Sequence, residues 1–351
     1  MLYVTTRNKT DAYTAHKTLT MNRGNDGGFF TPFQLPTIDQ QELADLQNRS
    51  FGQCVADILN LFFSARLDGW DVDFAIGKYP TKLVPMNHRI VVAETWHNPD
   101  WDFARIVRNL SSRICGNDDT HGIPSNWAWI AIRIATLFGL YGEMLRQGLT
   151  NVNSIFDIAL PAGDFSVPMA AWYAREMGLP IGTIICSCNE NCAAWNLLHH
   201  GQMRTDIVAQ PTNTPMCDVG VPASMERLIA AQLGTDEAKA FYAACSSGIS
   251  YELDEDKIFE LRKGIFTAVV GQMRMESVIY NVYRTSTYLL DPYSALAYGG
   301  LQDYRSGAGE GRVTLLLTER SPVCAAATVA KAMGFTVQDL KDRLGLSQGG
   351  V

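Results

Sequence analysis

Apolar and polar residues alternate along the chain in blocks that read by turns as strands and helices. Leu2-Tyr3-Val4 opens as an apolar strand, and a Gly/Asn-rich turn follows at Gly24-Asn25-Asp26-Gly27-Gly28. From Ser50 the spacing becomes helical. Cys54, Val55, Ile58, Leu59, Phe62 and Phe63 share one face, and Ser50 is placed to cap the first turn. A shorter helix is expected over 71–76, a strand over 89–94, and a long, mostly apolar core helix over 127–145. The pattern is most informative at 157–191. Ile158-Ala159-Leu160 reads as a strand, 161–166 as a tight turn, and Val167, Ala170, Ala171, Ala174 and Met177 as a helix that Gly178 stops. A second apolar strand follows over 181–186. This is a βαβ unit, which joins parallel strands by a right-handed crossover. Residues 235–264 read as helical and polar on one face, 313–317 as a last strand, and 324–333 as a helix with a shorter one from Thr336. The alternation predicts an α/β fold built on a parallel sheet. A turn that leaves a parallel strand and opens a helix N-terminus can hold an anion. Such turns recur in every α/β protein, so spacing alone leaves the role of 163–166 open.

Composition narrows the function classes. With 351 residues, 47% of them hydrophobic, the chain can bury a large core and is expected to form two or three domains. The net charge is -7 and no basic run occurs, so a nucleic-acid partner is not expected. No bilayer-length stretch lacks a charge or a break, and the start MLYVTTRNKT has no signal-peptide pattern. The expectations are therefore no membrane partner and a cytoplasmic location. The eight cysteines lie mostly among apolar residues and read as reduced thiols. Cys186, Cys188 and Cys192 with His199 and His200 do not have zinc-site spacing, because Cys186 lies within a strand, so no metal is expected. Cys188, read as a loop residue, is the candidate reactive thiol.

The motifs carry a resemblance. Tyr3-Val4-Thr5-Thr6-Arg7, Asp26-Gly27-Gly28-Phe29-Phe30-Thr31-Pro32, Ser125-Asn126-Trp127-Ala128 and Asn189-Glu190-Asn191 occur in order. So do Thr214-Pro215-Met216-Cys217-Asp218-Val219, Val221-Pro222-Ala223-Ser224-Met225-Glu226-Arg227-Leu228 and Leu290-Asp291-Pro292-Tyr293-Ser294-Ala295. Together they resemble the threonine synthases, pyridoxal-phosphate enzymes of fold type II that convert O-phosphohomoserine to threonine and phosphate. The resemblance covers nearly the whole chain. It implies a parallel-sheet large domain similar to the tryptophan synthase β-like enzymes, an N-terminal cap and a small domain. It also implies that Gly163, Asp164, Phe165 and Ser166 stand where the family's Gly-Asn-Phe-Gly loop holds the cofactor phosphate. Asn189 and Thr318 fall at further cofactor positions, and Arg320 could join Ser166 and Arg105 in an anion site of new composition.

The departures define the functional expectation. In the family a strand runs into His-Gly-Pro-Thr-Leu-Ala-Phe-Lys-Asp, whose Lys forms the Schiff base. Here the text is His97-Asn98-Pro99-Asp100-Trp101-Asp102-Phe103-Ala104-Arg105, so Ala104 takes the lysine position. Arg105 cannot replace it, because a guanidinium stays protonated and is no nucleophile. Asp164 puts a negative charge where the phosphate sits in the family, and Glu319-Arg320 departs from the family's Ala-His after Thr318. The small domain is expected to be truncated. The domains are read as 1–85, the N-terminal cap; 86–120, the remnant of the small domain; and 121–351, the large domain. The leading expectation is a threonine-synthase-like pseudoenzyme of amino-acid metabolism, with no cofactor bound as a Schiff base. It would bind a metabolite or a protein partner, or a second copy of itself. The alternatives are a cofactor-independent enzyme on a small anionic or amino-acid-like substrate, and a true threonine synthase. His97, Asp100, Asp102, Arg105 and Cys188 are the candidate catalytic groups. His97 with the two Asp would be an acid–base pair, against a reading in which His97 keeps a structural hydrogen bond and the Asp residues sit at a solvated helix start.

Overall fold

The computed structural model describes residues 1–77, 81–87, 89–95, 102–116, 126–309 and 311–344. Three short strands, β1 (Leu2–Thr5), β2 (Tyr13–Thr14) and β3 (Phe30–Pro32), form an antiparallel sheet in the order β2-β1-β3. The next strands are β4 (Lys82–Met86), β5 (Ile90–Glu94), β6 (Phe156–Pro161) and β7 (Ile181–Cys188). A small antiparallel pair, β8 (Gln202–Met203) and β9 (Tyr251–Glu252), precedes β10 (Ile265–Val269) and β11 (Thr314–Thr318). The main sheet has six strands in the order β10-β7-β6-β11-β5-β4, parallel except for β4 against β5. From β6 the chain moves outward through β7 to β10, then returns to place β11 on the other side of β6. The strand order therefore reverses between β6 and β11, and such a reversal opens a crevice beyond the carboxyl ends of the two strands.

Successive side chains of the sheet enter opposite cores. Val91, Ala93, Ile158, Leu160, Ile184, Leu315 and Leu317 join one, while Ile90, Val92, Ala159, Ile185 and Leu316 join the other. A parallel strand covered on both faces needs this uninterrupted apolar run, which is why β5, β6 and β11 carry so few polar residues. The first core holds helices Phe51–Phe63, Trp127–Arg146 and Ser166–Glu176; the second holds Gln272–Ser286, Pro292–Ala308 and Ala326–Met333. Helix Trp127–Arg146 is long and apolar enough to cross a bilayer by length and composition, yet 83% of its apolar window is buried within the fold. It is the core helix that its pattern predicts.

The N-terminal segment shares the first core. Trp127 meets Tyr3, Phe62 and Tyr173 edge-on, with ring centroids 5.7, 5.4 and 5.5 Å apart. Arg7 and Glu226 form a two-pronged buried ion pair at 2.9 and 2.8 Å, and Thr6 donates to the same carboxylate at 2.5 Å. Glu226 thus serves as a structural ion-pair partner. Arg227 instead donates to the Phe30 carbonyl and packs over the Phe29 ring. Gly178 shows why the chain turns where it does. Its φ is +112°, and a Cβ there would lie 2.4 Å from the Ile38 carbonyl oxygen, so only glycine lets the N-terminal segment approach.

Several boundaries differ from the sequence pattern. The boundary expected between residues 85 and 86 falls inside β4, where Pro85 pairs with Val91. The segment expected as a small-domain remnant thus contributes β5 to the main sheet, a pairing that no local pattern reveals. The helix expected over 71–76 begins at Gly69, capped by Asp68. Residues 235–264 form two helices, Thr235–Ser247 and Glu255–Leu261, because β9 intervenes. The expected connection closing the small-domain gap, 117–125, lies outside the described residues.

Candidate functional site

The crevice between β6 and β11 is a cavity of about 390 Å³. Three loops and two helices build it. Pro161 to Val167 come from the turn after β6, Leu317, Glu319 and Arg320 from the end of β11, and Met216, Cys217 and Val219 from a long connection. Trp129 and Arg133 come from the core helix, and Tyr293 and Ser294 from the start of helix Pro292–Ala308. A preformed, largely apolar cavity with a few polar groups at a strand-order reversal is the usual form of a small-molecule site.

The turn after β6 has the geometry its sequence demands. Gly163 has φ +49° and Phe165 φ +68°. Phe165 is not glycine, so this left-handed conformation is strained, and complete burial of its ring holds it in place. The turn presents the N-terminus of helix Ser166–Glu176 to the cavity. That N-terminus already has an anion. Asp164 Oδ1 accepts from the Ser166 amide at 3.0 Å and from Ser166 Oγ at 2.5 Å. The carboxylate takes the donors that a helix start would offer a bound anion.

The opposite wall is cationic. Arg320 is exposed, packs 5.3 Å from the Tyr293 ring centroid and donates to the Met216 sulfur at 2.6 Å. Arg133 is buried, with its guanidinium 4.0 Å from the Phe103 ring and 5.5 Å from the Trp129 ring. Its Nη2 reaches Glu319 at 3.3 Å, while Nε and Nη1 have no hydrogen-bond partner among the described residues. Burial pushes the Cys217 thiol up to about 12 and also raises the Tyr293 hydroxyl. Neither ionises near neutral pH, so the charges of the cavity are those of Asp164, Glu319, Arg133 and Arg320. Its lining, among the described residues, contains no lysine.

Of the residues singled out by sequence, Gly163, Asp164, Ser166 and Arg320 converge on this cavity, and Phe165 shapes its turn. Asn189 is buried beneath it. Its amide donates to Thr212, Thr214 and Asp218 and so fixes the connection that carries Met216 and Cys217. Thr318 points to β5, donating to the Ala93 carbonyl, while its neighbours Leu317 and Glu319 face the cavity. Asp102 caps helix Phe103–Cys115 by accepting from Ala104 and Arg105 amides at 3.0 and 3.3 Å. Ala104 is exposed on that helix, and Arg105 stands beside it, outside the lining. His97 and Asp100 lie outside the described residues.

Cys188 requires a correction. It ends β7 rather than sitting in a loop, it is buried, and burial pushes its thiol up to about 12. A protonated, enclosed thiol is not a ready nucleophile. Cys186 is buried in the same strand, and His199 stacks on Trp195 and bonds the Thr267 carbonyl. Among the described residues no His, Cys, Asp and Glu side chains gather as a metal set.

The sequence reading missed Arg133 and Trp129. The signal was present: Arg133 is the single charge inside the apolar run from Trp127 to Met144 that a core position would otherwise exclude, save Glu143 near its end.

Comparison with known proteins accounts for this architecture. Residues 2–76 match the threonine synthase N terminus family. Threonine synthase-like 1 of Homo sapiens is 25% identical over 176 residues, covering 49% of this chain and 24% of that protein. A threonine synthase of Pseudomonas aeruginosa is 28% identical over 193 residues, covering 54% and 40%. The chain therefore spans well under half the length of either relative. Among solved structures, a threonine synthase of Brucella melitensis with pyridoxal phosphate bound superposes with a TM-score of 0.84 at 17% identity, over 95% of this chain and 91% of that one. The yeast threonine synthase gives 0.82 at 18% identity, over 96% and 91%. Residues 2–76 therefore carry the threonine synthase N-terminal domain, and the chain as a whole has the fold of the solved threonine synthases.

Proposed function

We propose that this protein uses the cavity between β6 and β11 to bind a small metabolite, and that it does so without pyridoxal-phosphate Schiff-base chemistry. The observation that carries the reading is the Asp164 carboxylate seated on the Ser166 amide and hydroxyl. Those donors are the ones a cofactor phosphate would take, and a second anion beside a carboxylate is repelled. The residues present therefore do not fit that phosphate. A lining without lysine among the described residues and the exposed Ala104 support the same reading, since an aldehyde needs a reachable amine to form an aldimine. The apolar walls, with Arg320 and Arg133 on one side, suit an organic molecule of modest size that carries an anionic group.

The test is direct. The purified protein is mixed with pyridoxal phosphate, its visible absorption is recorded, and it is reduced with borohydride and weighed intact. The expected result is no aldimine band and no stoichiometric mass increase. A single-lysine adduct whose absorption responds to added amino acids would overturn the proposal and return the protein to the chemistry of its relatives.

A further inference from the structure

We infer that the loop end of this cavity has reversed its charge preference, and that it takes a ligand bearing an ammonium group where the fold would otherwise offer a phosphate cradle. The inference rests on the metabolite-binding reading above and specifies the chemistry of the ligand. Four charged side chains line the cavity: Asp164, Glu319, Arg133 and Arg320. Glu319 already faces Arg133 at 3.3 Å. Arg320 rests on Tyr293 and the Met216 sulfur. Asp164 is different. Both of its hydrogen bonds, from the Ser166 amide and Ser166 Oγ, fall on Oδ1. Its Oδ2 accepts none among the described residues, although the side chain is only partly buried and lines the cavity. Buried Arg227 is near enough to attract Asp164 through space, while its own hydrogen bonds include those to the Phe30 carbonyl and Ser224 Oγ.

The geometry makes the vacant oxygen usable. An ionised carboxylate accepts only, with two oxygens and several lone pairs. With Oδ1 tied to the helix start, the side chain cannot turn away without giving up its cap. Oδ2 is left as the free acceptor of a side chain that lines the cavity, and a ligand that uses it must bring a donor. An ammonium supplies three donors and the opposite charge, and such charge-assisted bonds are the strong ones in a water-poor cavity. A phosphate brings neither. The left-handed backbone at Gly163 and Phe165 shapes the turn that brings Asp164 to the cavity lining.

The experiment compares two probes with the same ring and opposite charge, phenethylamine and phenyl phosphate, by isothermal titration calorimetry. The proteins are the unaltered chain, Asp164→Asn and Asp164→Ala. Asp164→Asn keeps an acceptor for the helix cap, so it separates loss of charge from loss of structure, and a circular-dichroism melt checks the fold of each variant. The unaltered protein is expected to bind phenethylamine, and Asp164→Asn to bind it at least about tenfold more weakly while its affinity for phenyl phosphate, an anion that Arg133 and Arg320 on the opposite wall can hold, does not fall. Asp164→Ala, which frees the Ser166 donors, is expected to bind the phosphate more tightly than the unaltered chain does. Phosphate affinity that falls with either substitution overturns the inference. So does amine binding that ignores both substitutions, or amine binding that is absent altogether. These outcomes are independent of the borohydride experiment, which reports only on a Schiff base.

Discussion

Replacing Arg133 by methionine should leave the protein as stable as before or make it more so. In the native chain Arg133 is 7% exposed, and its Nε and Nη1 have no partner among the described residues. Each buried, unpaired donor costs about 1–3 kcal/mol, so the two together cost about 2–6 kcal/mol. Against this stand a hydrogen bond to Glu319 at 3.3 Å and the stacking on Phe103 at 4.0 Å. The first contributes about 1.5–3 kcal/mol and the second about 1–2 kcal/mol. Methionine fills similar space, follows the same wall and brings no unpaired donor. Glu319, left without its partner, remains partly solvated and loses little. At their midpoints the two sides are each about 4 kcal/mol, so they nearly cancel, and the fit of the methionine side chain tips the balance towards no loss. Urea unfolding, with midpoint and slope both fitted, measures it. A loss of more than about 2 kcal/mol at an unchanged slope would refute the argument, because it would make the guanidinium a structural tie. Stability gained by removing a charged group from a cavity wall is the signature of a residue held for binding.

Two further outcomes follow from buried charge. Arg7→Met should destabilise the protein by about 3–5 kcal/mol, because it strands the buried Glu226 carboxylate; the double variant Arg7→Met with Glu226→Gln should recover most of that loss, as read in a double-mutant cycle of urea midpoints. Asp291, buried at the N-cap of helix Pro292–Ala308, is pushed up to about 6, first by burial and despite hydrogen bonds from Ser294 and Tyr293. A carboxyl whose folded value is raised stabilises the protein fully below its unfolded value near 4, and that contribution disappears as the pH rises through about 6. The stability of the unaltered protein minus that of Asp291→Asn should therefore fall by about 2 kcal/mol between pH 4 and pH 7, and a flat difference would contradict the burial argument.

The alternation of strand and helix, the turn at 161–166 and the apolar face of helix Phe51–Phe63 were legible in the sequence. Each depends on residues within a few positions of one another, where period, capping and turn chemistry act directly. The same holds for the acidic residue at 164, which lines the cavity. Tertiary structure decided the rest. Strand order cannot be read from local pattern, because β6 pairs with both β7 and the distant β11, and that pairing alone creates the crevice. The 86–120 segment looked separate until β5 paired with β11 and β4. Cys188 looked exposed because the pattern ended its strand at 186, two residues early, whereas pairing with β10 continues to Cys188 and buries it. Arg133 and Trp129 reached the site only through the packing of a helix whose own period marks it as core. The sequence determined the elements and the chemistry of single positions; the cavity and its opposed charges arise from long-range pairing, whose energy no short window contains.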